Sequence, residues 1–147
     1  PTRKAEFERL ARDLGVDAHV HFLGRLDADT IPVAMNACDV FVMTSRHTSS
    51  GDFEGYGIAV VEAALCGKPA VVAGNSGLAE AVLDRETGLV VPQNDPDATA
   101  QAIVTLLADD QQRTRLGSGA RQRAEAEQGW AVRVQEYDRV LRKLVGP

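Results

Sequence analysis

The stretch Phe53-Glu54-Gly55-Tyr56-Gly57-Ile58-Ala59-Val60-Val61-Glu62 carries the residue types best suited to chemistry in this chain. Gly55 and Gly57 let a ligand come close to the backbone. A helix beginning near Gly57 would aim the unpaired amides of residues 57 to 59 at that ligand, which suits a phosphate or pyrophosphate. The same two glycines would equally serve a tight turn with nothing bound. Glu62 stands among Ile58, Ala59, Val60, Val61, Ala63, Ala64, Leu65 and Cys66. A helix this apolar on every side predicts a buried carboxylate, costly unless donors reach it. Sugar hydroxyls are such donors. An internal Arg would also serve, and a narrow exposed edge would remove the need. Glu54 precedes the helix start, where a carboxylate stabilises the helix dipole by about 0.3–1 kcal/mol. As a ligand contact it suits a hydroxyl, because a carboxylate beside a phosphate repels it.

The remaining candidates carry less. His19 and His21 alternate along a predicted strand and share one face, without a third metal ligand nearby. His47 falls in a polar loop. No nucleophile motif supports a Ser-His-Asp arrangement, and the Walker and dinucleotide glycine patterns are absent. Cys38 and Cys66 match no metal spacing and read as small buried residues, with a reducing cytosol as the default compartment.

The elements that must position these residues alternate between strand and helix. Thr2 to Leu14 is helical, with Phe7, Leu10, Ala11 and Leu14 on one stripe and Gly15 as the stop. His19 to Leu23 reads as a short strand ending at Gly24. Asp27 to Ala37 reads as a helix, and Val40 to Met43 as a strand buried on both faces. The polar stretch from Thr44 to Tyr56 is a loop. The helix from Gly57 to Cys66 stops at Gly67-Lys68-Pro69. Then come strand Ala70 to Ala73, turn Gly74 to Gly77, helix Leu78 to Leu83 and strand Gly88 to Val91. Asp95-Pro96-Asp97 starts a helix through Ala108, and two more follow, Gln111 to Gln128 and Trp130 to Leu144. This alternation predicts an α/β fold, a Rossmann-like parallel sheet with flanking helices. In such sheets ligands bind beyond the carboxyl ends of the strands, which singles out Gly24-Arg25, Thr44 to Tyr56, and Gly74 to Gly77.

The 147 residues suit one domain with a sizeable core. A net charge of -5 argues against a nucleic-acid surface. No apolar run approaches the ~20 residues of a membrane helix. Pro1-Thr2-Arg3-Lys4 shows no signal peptide, and a first residue other than Met points to a processed, excised or fragmentary chain.

Taken in order, Thr44-Ser45-Arg46, Glu54-Gly55-Tyr56-Gly57-Ile58, Glu62-Ala63 and Cys66-Gly67-Lys68-Pro69 resemble the donor-binding stretch of family-4 retaining glycosyltransferases. That family carries two glutamates separated by seven residues, as Glu54 and Glu62 are. The resemblance extends over essentially the whole chain. His21-Phe22-Leu23-Gly24, Ala37 to Val42, Ser76 to Glu80, Thr87 to Pro92, Leu116-Gly117 and Trp130 fall in family order. One departure is Ser76-Gly77-Leu78-Ala79-Glu80, where the family often has Gly-Gly-x-Pro-Glu. It is expected to alter loop flexibility and to leave the nucleotide site intact.

The resemblance implies the GT-B architecture, two Rossmann-like domains across a cleft, with this chain as the later part of the C-terminal donor-binding domain. The acceptor domain is absent, as are two strands and the loop that offers an Arg and a Lys to the pyrophosphate. By the same resemblance Glu54 would meet hydroxyls of the transferred sugar, as the catalytic-site carboxylate. Amides of Gly57, Ile58 and Ala59 would approach the pyrophosphate, flanked by Gly55 and Tyr56. Glu62 would hold the ribose, Gly24 and Arg25 would wrap the base, and Ser45 and Arg46 would line the cleft.

The implied reaction moves a sugar from a UDP- or GDP-sugar donor to a sugar, lipid or small-molecule acceptor hydroxyl, with retention. It needs no cofactor and no metal, since amides and basic side chains stabilise the leaving diphosphate. The implied setting is cytoplasmic, with any membrane contact at the inner face made through the absent domain. A non-enzymatic nucleotide-sugar binding module and a GT-B epimerase or phosphorylase stand as alternatives; the pyridoxal lysine motif of a phosphorylase is not found. A sheet short of two internal strands exposes apolar edges, so the chain alone is expected to be marginal, aggregation-prone, dependent on a partner and inactive.

Overall fold

The computed structural model describes residues 3–48, 51 and 54–145. Thr2, expected at the start of the first helix, and Phe53, expected in the donor loop, lie outside the described residues. The chain divides into two compact units, Pro1–Ile31 and Pro32–Pro147.

In the first unit, helix α1 spans Arg3–Asp13 and ends as expected at Gly15, whose φ of +69° is the left-handed conformation that glycine adopts freely. The amide of Val16 reaches back to the Ala11 carbonyl at 2.9 Å and closes the helix end. The strand expected at His19 to Leu23 does not form. Asp17–His19 is a 3₁₀ turn, and the residues after it have no ladder partner among those described. Apolar alternation makes a strand only where a neighbour takes its backbone hydrogen bonds. His19 and His21 therefore do not share a strand face. Asp27 accepts from the Thr30 amide at 2.8 Å and caps helix α2, Thr30–Ala37. The hydrogen bonds from Thr30 hold the Asp27 carboxyl below its ordinary range.

The second unit is built on three parallel strands in sequential order: β1 Phe41–Met43, β2 Ala70–Ala73 and β3 Gly88–Val91. Phe41 pairs with Ala70, and Ala70 with Gly88. Helix α3, Ile58–Leu65, makes the first crossover, and the short α4, Leu78–Ala81, the second. Helix α5 spans Pro96–Ala108 and α6 spans Asp110–Arg123. A π-helical turn, Ala124–Gln128, then leads to α7, Trp130–Val145. The fold class is as expected: a Rossmann-like parallel sheet flanked by helices.

The period-two alternation of β2 divides the core between two faces. Ala70 and Val72 pack with Val60, Leu78, Ala81 and Val82 on one. Val71 packs with Val91, Ala102, Leu106 and Leu116 on the other. Leu78, Leu106 and Leu116 are fully buried, each contributing roughly 1.5–3 kcal/mol of apolar transfer. All of β2 is buried. β1 is not buried on both faces: Val42 is 40 % exposed. Phe41 and Met43 turn toward the α3 side, while α5 packs over β2 and β3 on the other.

Close approach fixes several contacts. A Cβ on Gly117 would lie 2.1 Å from the Gly67 carbonyl oxygen, so α6 sits directly on the turn that follows α3. Arg123 donates to the Ala81 and Glu80 carbonyls at 2.8 and 2.9 Å, which satisfies the C-terminal end of α4. Along α7, Trp130, Val134, Tyr137, Leu141 and Leu144 form an exposed apolar stripe at helical spacing.

Candidate functional site

In the second unit, three turns leave the carboxyl ends of the strands: the β1 loop from Thr44, the β2 turn Gly74 to Gly77, and the β3 turn Pro92 to Asn94. The β1 loop leads to α3 through Gly57, whose φ is +75°. A Cβ there would also meet Leu78 Cδ2 at 2.3 Å, so both conformation and space require glycine. The amides of Gly57, Ile58 and Ala59 open the helix, and the first turn has no acceptor for them within α3.

Glu54 is half-buried, and its carboxylate accepts from the Gly57 amide at 3.2 Å. It thus sits at the positive end of α3, the helix-dipole role foreseen for it. A diphosphate using that amide would have to displace the Glu54 oxygen. The Glu54 carbonyl accepts from the Gly77 amide at 3.0 Å. Gly77 is so close to the loop that a Cβ on it would lie 1.7 Å from the Gly55 carbonyl oxygen. The β2 turn is thus a buttress for the entry to α3. The departure at Ser76 is accommodated, because its hydroxyl donates to the Ala73 carbonyl at 3.0 Å and accepts from the Leu78 amide at 3.3 Å.

Glu62 corrects an expectation. It is exposed, not buried, and lies on one face of α3 with Ile58, 64 % exposed, and Leu65, 45 % exposed. Successive helical residues turn by about 100°, which brings positions 58, 62 and 65 onto one side. Val60 faces the sheet, and Val61 and Ala64 meet Ala120 and Ala124. A wholly apolar helix can leave one side open, and composition does not say which. The desolvation argument for a ligand at Glu62 therefore falls. What stands is an accessible carboxylate one turn below the helix mouth, beside the side chain of Ile58.

Tyr56 is half-buried, and its hydroxyl accepts from Arg133 at 3.2 Å while the guanidinium lies 5.7 Å from the ring centre. The bond to Tyr56 and a further one to Glu136 raise the Arg133 pKa above its ordinary value. Tyr56 is thereby engaged in anchoring the first turn of α7. Gly55 is exposed and Ser45 half-buried. Exposed Arg46 donates to Asn94 Oδ1 at 3.3 Å. Gly24, at φ +70°, and exposed Arg25 belong to the first unit.

Burial pushes the Cys38 thiol up, and Cys38 and Cys66 are both half-buried. Among the described residues no three His, Cys, Asp or Glu side chains gather where a metal could be held.

Sequence reasoning missed Gln93. Its Nε2 donates to the carbonyls of Gly74 at 2.9 Å and Asn75 at 3.1 Å, and its Oε1 accepts from the His47 amide at 3.1 Å. One amide group joins the turns of all three strands. The signal was available: the carboxyl-end rule that singled out two of these turns applies equally to the turn after Val91.

Known proteins are similar to this chain in sequence and fold. Residues 1–123 match the model of the family described as "Glycosyl transferases group 1". The chain is 39 % identical over 127 residues to a GDP-mannose-dependent alpha-(1-6)-phosphatidylinositol monomannoside mannosyltransferase of Mycolicibacterium smegmatis, covering 86 % of this chain and 33 % of the relative. It is 35 % identical over 114 residues to a D-inositol 3-phosphate glycosyltransferase of Corynebacterium efficiens, covering 78 % of this chain and 26 % of the relative. Among solved structures, Anabaena HepE in complex with UDP and glucose superposes with a TM-score of 0.83 at 31 % identity, over 95 % of this chain and 36 % of that one. The chain thus spans 26–36 % of the length of these relatives. The match over residues 1–123 shows that the chain belongs to the glycosyl transferases group 1 family.

Proposed function

We propose that this chain forms donor-side machinery of a retaining glycosyltransferase, which takes a sugar from a nucleoside diphosphate sugar and passes it to an acceptor hydroxyl. The observation that carries this reading is the mouth of α3. A glycine-gated helix N-terminus lies at the carboxyl edge of a parallel sheet, with Glu54 at its lip and Glu62 accessible one turn below.

Each part has a chemical role. The amides of Ile58 and Ala59, and that of Gly57 once Glu54 turns away, face charge that develops on the leaving diphosphate. Glu54, released from Gly57, accepts from hydroxyls of the transferred sugar. Glu62 accepts from the ribose hydroxyls, with Ile58 as the apolar wall beside them. Ser45 and Arg46 line the approach, and Gly55 and Tyr56 shape the loop. Retention follows from attack on the face the diphosphate leaves, with the leaving phosphate taking the acceptor proton.

The base is guanine or uracil. A GDP-mannose-dependent relative and a neighbour solved with UDP support the two equally. The acceptor is a sugar, lipid or small molecule held by another domain, so the chain by itself binds donor without turning it over. The setting is cytoplasmic, and any membrane contact is made by a part outside this chain.

Calorimetry with GDP, UDP and their sugars tests the reading. Binding by the wild type, weakened about 10- to 100-fold in Glu62→Ala, is the expected outcome, the cost of losing hydrogen bonds to a charged acceptor. A folded wild type that binds none of them would end the proposal. Equal binding by the variant would move the ribose away from α3.

A further inference from the structure

We infer that Gln93 is a positioning residue for the donor site, holding both described ends of the β1 loop on one frame. This rests on the donor reading of α3 above. The near end of the loop carries Ser45, Arg46 and His47; the far end carries Glu54 and enters α3. Gln93 grips the near end through the His47 amide at 3.1 Å. Its other half grips Gly74 and Asn75 at 2.9 and 3.1 Å. That same β2 turn grips the far end, through the Gly77 amide on the Glu54 carbonyl at 3.0 Å. The path from Arg46 to Glu54 across the frame is therefore His47, Gln93, the β2 turn, Glu54. Beside it, Asn94 holds the Arg46 guanidinium at 3.3 Å.

The side chain must be an amide of this length. Two carbonyl oxygens require a donor, one backbone amide requires an acceptor, and only a group with both can serve all three. A carboxylate would keep the His47 bond and repel the carbonyls. A thioether of the same length would make none of the bonds. The anchors are themselves firm. The Gly74 amide donates to Val91 at 2.8 Å, and Asn75 and Asn94 hold left-handed φ values of +53° and +56° that asparagine tolerates. Gln93 does not have to touch the donor to matter. A cation and a carboxylate that must converge on one ligand lose affinity when their spacing is free to drift.

The test uses the full chain in three forms: wild type, Gln93→Met and Gln93→Glu. Three quantities are read: melting temperature, hydrogen exchange at the His47 amide, and affinity for GDP-mannose and UDP-glucose. In Gln93→Met the His47 amide should exchange about tenfold faster and the donor should bind about tenfold more weakly, the scale of one lost hydrogen bond or two. In Gln93→Glu the loss should be at least as large near neutral pH and should reverse in acid. Once protonated, the introduced carboxyl regains a donor for the carbonyls and keeps an acceptor for His47. Arg46 and His47 on the β1 loop and Asp95 on its own turn face position 93 in all three proteins, and Gln93→Met, which introduces no charge there, is the control for them.

A change in stability alone would not give this acid recovery. Should Gln93→Met fail to fold, the pH dependence of Gln93→Glu decides. Unchanged exchange at His47 would overturn the clasp. Faster exchange with unchanged donor affinity would overturn the positioning role and leave the donor reading intact. A folded wild type that binds neither donor would overturn the donor reading and the role of Gln93 with it.

Discussion

At the scale of single residues, the approach to α3 is set by what is missing from side chains. Gly57 needs its left-handed φ of +75°. Gly77 does not: its φ of -59° suits any residue, and it is held to glycine by the peptide that presses on it. Gly77→Ala would push a methyl group into the Gly55 carbonyl, at a cost of roughly 1–3 kcal/mol typical of overpacking. The Glu54 carbonyl would be the first to move, since it bonds the Gly77 amide. A lower melting temperature, with weaker nucleotide binding at temperatures where the variant is still folded, is the expected result. Wild-type values for both would mean the loop yields without strain. Ser76 shows the opposite case, a side chain that finds two hydrogen bonds within the same turn.

At the scale of elements, local chemistry was readable and partnership was not. The Asp95-Pro96 start of α5 depends on four neighbouring residues, and the structure has it as expected, with Asp95 Oδ1 accepting from Ala98 at 2.8 Å. Asp95→Ala should therefore cost about 1 kcal/mol of stability, read as a shift in the denaturation midpoint at unchanged slope. Asn at the same place should restore most of it. The segment His19 to Leu23 has the right residues for a strand and fails for want of a neighbour. Val42 and Glu62 were misjudged for a related reason. Apolar surroundings in sequence say that a segment packs, while the side left open depends on which helix lies over which strand. The mouth of α3 was legible, because a glycine-rich loop running into an apolar helix is a local pattern. The turn bearing Gln93 could be singled out by the carboxyl-end rule, but not the bonds that Gln93 makes, because its partners lie on two other turns distant in sequence.

At the scale of the whole molecule, apolar surface remains uncovered. Among the described residues β1 pairs on one side only, and Val42 is 40 % exposed beside that edge. On α7, Trp130 is 80 % exposed and Leu144 78 %. Open strand edges and large apolar patches favour association. The chain by itself should scatter light on heating and lose its sheet at modest temperature, followed by light scattering and circular dichroism together. Val42→Lys should reduce that association, since an edge lysine opposes strand pairing. A monomer that unfolds cooperatively above ~60 °C, the upper mesophile range, would show that the exposed surface is harmless.

The sequential order of the strands bears also on how the fold is reached. β1 pairs with β2 and β2 with β3, so among the described strands none must wait for a later one to be inserted beside it. Each crossover is a single helix, and a chain emerging from the ribosome could lay β2 against β1 before β3 is made. Pairings between neighbours in sequence close the shortest loops and tend to form early. The central strand would then gain its second partner last, and the turn bearing Gln93 would arrive only after the two turns it ties together were already side by side. Assembly of the site would thus be the final event of sheet formation in this unit, and the most exposed to interruption during synthesis.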